Sequence, residues 1–108
     1  MEISPVELKK RLDNGDNVVL VDVRGAHELY IANLDNSLHI PMDELQHHLA
    51  ELKELEAASK DIVLYCRTGQ RSLNCAHALK NAGFKRIYNL TGGLHAWSDQ
   101  VDPSVMKY

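Results

Sequence analysis

Two apolar runs, Val18-Val19-Leu20-Val21-Asp22-Val23, interrupted only by Asp22, and Ile62-Val63-Leu64-Tyr65, constrain the fold of this chain more than any other feature. Both are rich in β-branched residues and lack the polar alternation of a strand with one wet face. A strand that is apolar throughout needs cover on both sides, as in a parallel sheet sandwiched by helices. Arg86-Ile87-Tyr88-Asn89-Leu90 reads as a further strand, and Ser37-Leu38-His39-Ile40, just before Pro41, as a short one.

Helical periods lie between these runs. Ser4-Pro5-Val6-Glu7 has the order of a helix start: Ser4 as N-cap, Pro5 at the first helical position, and Glu7 closing a capping box. Ile3 and Leu8 stand where a hydrophobic staple would place them. That helix is expected to stop near Asp13-Asn14-Gly15. Leu45, Leu49, Leu52 and Leu55 form one apolar stripe at spacings of three and four. Ser72 to Ala82 forms a second amphipathic stretch with Ala76 and Leu79 inward, ended by Gly83, with Phe84 packing back on Leu79. Strands alternating with helices predict an α/β fold with a mainly parallel sheet. Function in such sheets sits at the carboxyl ends of the strands.

Length and charge bound the rest. The 108 residues suit a single domain, 1–108, and the 44% apolar and 25% charged shares are ordinary globular values. A net charge of −3 gives no electrostatic reason to expect nucleic acid or an acidic membrane as partner. No run approaches the roughly 20 apolar residues of a bilayer span, and the start lacks the order of a signal peptide. A soluble, cytoplasmic protein is expected. Two cysteines, Cys66 and Cys75, make neither a disulfide framework nor a zinc pattern.

The carboxyl-end rule points at Cys66-Arg67-Thr68-Gly69-Gln70-Arg71, between the strand ending at Tyr65 and the helix opening near Ser72. A strand, a short polar turn with glycine and a helix start together form an anion cradle. The first backbone N–H groups of a helix have no internal partner, and its dipole adds about half a positive charge there. Gly69 lets the backbone fold closely, and Arg67 and Arg71 add fixed charge suited to oxyanions. A cysteine at a helix start beside arginines is held as a thiolate, the form that attacks. The plain alternative, a small buried hydrophobe, needs none of these neighbours. Cys75 lacks them, so a packing role is expected.

The loop resembles the active-site loop of the rhodanese sulfurtransferases, a cysteine followed by four residues and an arginine. Val21-Asp22-Val23-Arg24 with Glu28 is similar to that family's first signature. Ile40-Pro41 falls where a family Ile-Pro pair would, and Gly92-Gly93-Leu94-His95-Ala96-Trp97 is similar to its Gly-Gly-x-x-Ala-Trp ending. The resemblance covers nearly the whole chain. It implies a central five-stranded parallel sheet with helices on both faces, Cys66 as sulfur carrier, and Arg67, Thr68, Gly69, Gln70 and Arg71 lining the pocket. Asp22 and Arg24 would support the fold through buried polar contacts. Gly92 and Gly93 would make a tight turn before a short helix, with Trp97 in the core.

The implied reaction takes a sulfane sulfur from a small anionic donor such as thiosulfate and passes it to a thiol, cyanide or a sulfur-carrier protein. The covalent persulfide makes any cofactor or metal unnecessary. Ala32-Asn33-Leu34-Asp35-Asn36-Ser37 departs from the family's usual Gly-His-Ile-x-Gly-Ala stretch. Val101-Asp102-Pro103-Ser104 and Tyr108 are similar to the tail of rhodanese domains fused to the adenylating enzymes of molybdopterin and thiamine biosynthesis. There, the sulfur goes to an activated C-terminal glycine of a small carrier protein.

Two other readings compete. Cysteine phosphatases and arsenate reductases also attack an oxyanion from a cysteine loop, but typically place five residues between cysteine and arginine. A non-catalytic rhodanese-like binding module is the third reading, usually one that has lost the cysteine. Among the histidines, His47 and Glu51 form an i, i+4 pair that solvated surface explains. His27, His39, His77 and His95 show no ligand spacing. Lys9-Lys10-Arg11 reads as a charged helix face.

Overall fold

The computed structural model describes residues 1–108. Five strands form one sheet: β1 (Glu2–Ile3), β2 (Val18–Asp22), β3 (Leu38–His39), β4 (Asp61–Tyr65) and β5 (Ile87–Leu90). Their order across the sheet is β1-β5-β4-β2-β3, and every neighbouring pair runs parallel. The two apolar runs occupy adjacent central positions, β2 and β4, paired from Val18↔Asp61 to Asp22↔Tyr65. β1 has two residues, too few to show any periodicity in the sequence. It forms through a neighbour, its backbone pairing with Asn89 and Leu90 at one edge of the sheet.

Strand alternation splits the core in two. On β4, Ile62, Leu64 and Cys66 join the cluster with Val21, Val23, Leu52, Cys75, Ala76 and Leu79. Val63 and Tyr65 point the other way, to Ile3, Leu8, Leu20, Leu34, Leu90, Leu94 and Trp97. The first face is covered by α3 (Leu49–Ala57) and α4 (Gln70–Asn81), the second by α1 (Pro5–Asp13) and α5 (Gly93–Gln100). This is why Val18 to Val21 of β2 and Ile62 to Tyr65 of β4 show no polar alternation: both faces of these strands are inside.

Helix ends follow their local chemistry. Ser4 Oγ accepts from the Glu7 N–H at 3.1 Å at the start of α1. The expected reciprocal half is different: Ser4 Oγ–H donates to the Glu7 carboxylate at 3.2 Å, and no bond from that carboxylate to the N-cap amide forms. At the end of α4, Phe84 N–H reaches Leu79 O at 3.1 Å and Gly83 N–H reaches Lys80 O at 3.0 Å. With Gly83 at φ +97°, this is a complete Schellman ending.

The leucine stripe is not one α-helix. Met42–His48 is a 3₁₀ turn that passes into α3 at Leu49, with His48 as the irregular junction (φ −115°, ψ 10°). Leu45 and Leu52 are still buried, because spacings of three and four satisfy both helix types near the junction. The break also re-pairs the surface histidines: His48 Nδ1, not His47, lies 3.3 Å from the Glu51 carboxylate. A short helix without a sequence signal, α2 (Ala26–Leu29), places Glu28 inward.

Candidate active site

Cys66 is the first residue beyond β4, on the strand face that carries Ile62 and Leu64. Its side chain is 1% exposed, yet polar groups converge on it. The Gly69 N–H points at Sγ from 3.2 Å and the Ser72 N–H from 3.4 Å. Ser72 Oγ lies 3.3 Å from the same sulfur. Both amides belong to the N-cap and first turn of α4, so neither has a helical partner to compete for it.

Two glycine turns hold the loop in this shape. Gly69 sits at φ +96°, and a Cβ there would come within 3.0 Å of the Gly92 amide nitrogen. Gly93 sits at φ +59°, and a Cβ there would stand 2.5 Å from the Cys66 carbonyl oxygen and 2.7 Å from Arg67 carbonyl atoms. This approach lets the first N–H groups of α5 reach the loop. Leu94 N–H donates to Cys66 O and His95 N–H to Arg67 O, both at 3.0 Å. With those carbonyls drawn toward α5, the amides further along the loop are left facing the sulfur.

The two arginines occupy different settings. Arg71 forms a two-pronged pair with Glu28, Nη1–Oε1 at 2.7 Å and Nη2–Oε2 at 2.9 Å. That pairing holds the Glu28 carboxyl down at about 2, against its burial and with help from Tyr108. The Arg71 guanidinium is raised first by Glu28, and a charge on Cys66 adds to the effect. Its fork is thus occupied, and its positive charge reaches the sulfur through space. Arg67 is exposed, with its guanidinium 5.1 Å from the Tyr108 ring centre and Nε bonded to His95 Nε2 at 3.3 Å. Thr68 and Gln70 are exposed on the same loop.

Beneath the loop lies a buried polar hub. Arg24 and Asp22 are fully buried and pair through Nε–Oδ1 at 2.9 Å and Nη2–Oδ2 at 2.6 Å. Arg24 also donates to Ala32 O at 2.6 Å and to the Tyr108 hydroxyl at 2.5 Å. Burial opposes its charge, but Asp22 and then Tyr108 outweigh that and raise it. Tyr108 in turn donates to Glu28 Oε2 at 2.6 Å, joining the hub to the partner of Arg71. The departing stretch at 32–37 is tied to the same region. Tyr65 hydroxyl accepts from Leu34 N–H at 3.2 Å and lies 2.8 Å from Ser37 Oγ.

Sequence reasoning singled out the loop, the buried Asp22 and Arg24 and the glycine pair; the fold gathers all of them at the carboxyl ends of the central strands β2, β4 and β5. It did not assign roles to Ser72, Asn89, Glu28, His95 or Tyr108. Glu28, His95 and Tyr108 stood in the motifs quoted, Ser72 followed Arg71 at the helix start, and Asn89 carried no signal. Cys75 is buried on α4; burial, and then the charge on Cys66, push its thiol up to about 11. Both cysteines are free. No cluster of three or more metal-ligating side chains is formed, and no helix is long and apolar enough to cross a membrane.

A parallel α/β sheet that delivers a cysteine into an amide-lined loop at its carboxyl edge defines a class of cysteine-loop domains. The chain belongs to the rhodanese-like domain family, whose model matches residues 4–100. It is 38% identical to the probable adenylyltransferase/sulfurtransferase MoeZ of Mycobacterium tuberculosis over 98% of its own length. It spans only about a quarter of that relative (26%). It is 33% identical to a sulfurtransferase of Allochromatium vinosum, covering 96% of this chain and 94% of that one. Among solved structures, a rhodanese-like domain protein from Staphylococcus aureus superposes with a TM-score of 0.80 at 28% identity. That match covers 100% of this chain and 99% of the other.

Proposed function

We propose that this chain is a sulfurtransferase that carries a sulfane sulfur as a persulfide on Cys66. The observation that carries the reading is the pair of N–H groups, Gly69 and Ser72, aimed at Sγ from 3.2 and 3.4 Å. In the first half-reaction, the Cys66 thiolate attacks the outer sulfur of thiosulfate. The donor's S–S bond breaks, and sulfite leaves with the electron pair. In the second, cyanide or an acceptor thiolate, free or carried on a sulfur-carrier protein, attacks the outer persulfide sulfur and releases the Cys66 thiolate. No cofactor enters either step. The enzyme alternates between a thiolate and a persulfide form, which is ping-pong behaviour.

The nearly closed position of Cys66 favours slender sulfur ends over bulky groups, and Arg67 is the exposed cation of the loop mouth. Arg71 is assigned a through-space role, a positive charge held toward the sulfur site, with Glu28 setting its position. A sulfurtransferase relative that this chain covers to 94% of its length supports sulfur transfer. The chemistry needs Cys66 unoxidised, which suits a reducing compartment such as the cytoplasm.

The test is intact mass after incubation with thiosulfate and gel filtration. A gain of one sulfur that cyanide removes is expected, absent in Cys66→Ser and retained in Cys75→Ser. No gain in folded wild-type protein, together with turnover of p-nitrophenyl phosphate, would replace this reading with a cysteine phosphatase.

A further inference from the structure

Behind the sulfur, one hydroxyl proton is claimed by two acceptors. Ser72 Oγ lies 2.5 Å from Asn89 Oδ1 and 3.3 Å from Cys66 Sγ. The orientation of Asn89 is set from its other end. Its Nδ2 donates to the Glu2 carboxylate at 3.0 Å and to Gly69 O at 3.3 Å, both of which only accept. Oδ1 is therefore the atom that faces Ser72, and an amide oxygen only accepts. With the hydroxyl proton between Ser72 and Asn89, Ser72 turns a lone pair toward the sulfur. That arrangement suits a thiol, whose S–H points at Oγ. It does not suit a sulfur anion. All three residues are buried, away from bulk solvent.

We propose that Ser72 is a catalytic hydroxyl rotor whose proton follows the charge on Sγ, and that Asn89 is the positioning residue that draws it back. This rests on the persulfide chemistry proposed above. When Sγ is a thiolate, the Ser72 O–H turns to it as a third donor beside the two amides, and Asn89 Oδ1 gives up its partner. When the persulfide forms, the negative charge moves to the outer sulfur, Sγ becomes a neutral bridging atom, and the hydroxyl returns to Asn89. In the second half-reaction the acceptor bonds to the outer sulfur and the S–S bond breaks. The electron pair stays on Sγ, and the rotor meets the charge as it develops there. A donor engaged only when charge appears lowers the barrier without holding the resting state. Asn89 makes this differential, since it supplies the alternative partner whenever Sγ is uncharged.

The charged or titratable groups around this pair are Arg71 beside Ser72, Glu2 behind Asn89, and Cys75 on α4. None is changed by the test. Alkylation of Cys66 by iodoacetamide is followed across pH, with the site assigned by peptide mass. Ser72→Ala should slow alkylation at neutral pH about fivefold, the scale of one hydrogen bond to the anion. Asn89→Ala should speed it by a similar factor, because the hydroxyl is freed for sulfur. In the double variant the gain from Asn89→Ala should vanish, the signature of an effect routed through Ser72. Slowing or no change in Asn89→Ala, or acceleration that persists in the double variant, overturns the proposal. Should Asn89→Ala fail to fold, Ser72→Ala decides alone, and unchanged alkylation and unchanged persulfide release to cyanide refute the rotor. Alkylation needs no sulfur donor, so its outcome is independent of whether thiosulfate loading succeeds.

Discussion

At the scale of single residues, Glu28 shows how a side chain without obvious chemistry governs one that has it. Its two oxygens hold both prongs of Arg71, and Oε2 also accepts from Tyr108. Arg71 first, against burial, holds its carboxyl at about 2, well below its ordinary value of 4.5. A group whose folded value is depressed contributes stability that is complete above the unfolded value and is lost as pH falls toward the folded one. The window is therefore between about 4.5 and about 2. Urea midpoints measured across that range should fall with pH in the wild type and fall less steeply in Glu28→Gln, which is already weaker at pH 7. Cys75 illustrates the opposite environment. Burial and the Cys66 charge push it up to about 11, so at neutral pH it stays protonated while remaining part of the core.

At the scale of elements, α5 and the loop after β4 depend on one contact that tolerates no side chain. A Cβ on Gly93 would meet Cys66 O at 2.5 Å and Arg67 carbonyl atoms at 2.7 Å, and these are backbone atoms that cannot swing aside. Its φ of +59° adds strain for any other residue. Gly93→Ala should cost about 2–3 kcal/mol in urea unfolding and displace the loop. Persulfide loading should fall more than stability does, read as sulfur gained per folded molecule. Gly83 separates the two effects: at φ +97° a side chain is strained there too, but its Cβ would meet nothing closer than the Lys53 Nζ at 3.9 Å. Elements with a repeating pattern of their own, β2, β4, α1 and α4, were legible as sequence. The 3₁₀ turn at Met42–His48 was not, because its leucine spacing fits an α-helix equally well. β1 and α2 are too short to carry a period at all.

At the scale of the whole molecule, the far end of the chain returns to the site. Tyr108 lies 84 residues from Arg24 in sequence, yet its hydroxyl accepts from Arg24 and donates to Glu28. Its ring faces Arg67 and stands edge-on to His95. Tyr108→Phe keeps the ring but leaves buried Arg24 Nη1 with only the Glu28 carbonyl at 3.4 Å. The expected cost is about 1–3 kcal/mol, seen as a lower urea midpoint at unchanged slope. Local chemistry was sufficient to announce a parallel α/β sheet, a cysteine between a strand and a helix start, and the glycines that shape the turns. Hydrophobic period, caps and turn residues act over a few neighbouring positions, so each of these signals lies intact within a short stretch. Tertiary structure alone decided which amides face the sulfur, which arginine is neutralised by Glu28, and where Ser72 finds a second acceptor. Those choices hang on contacts between residues tens of positions apart, and hydrogen-bond partners at such separations leave no mark on the order in which the residues are written.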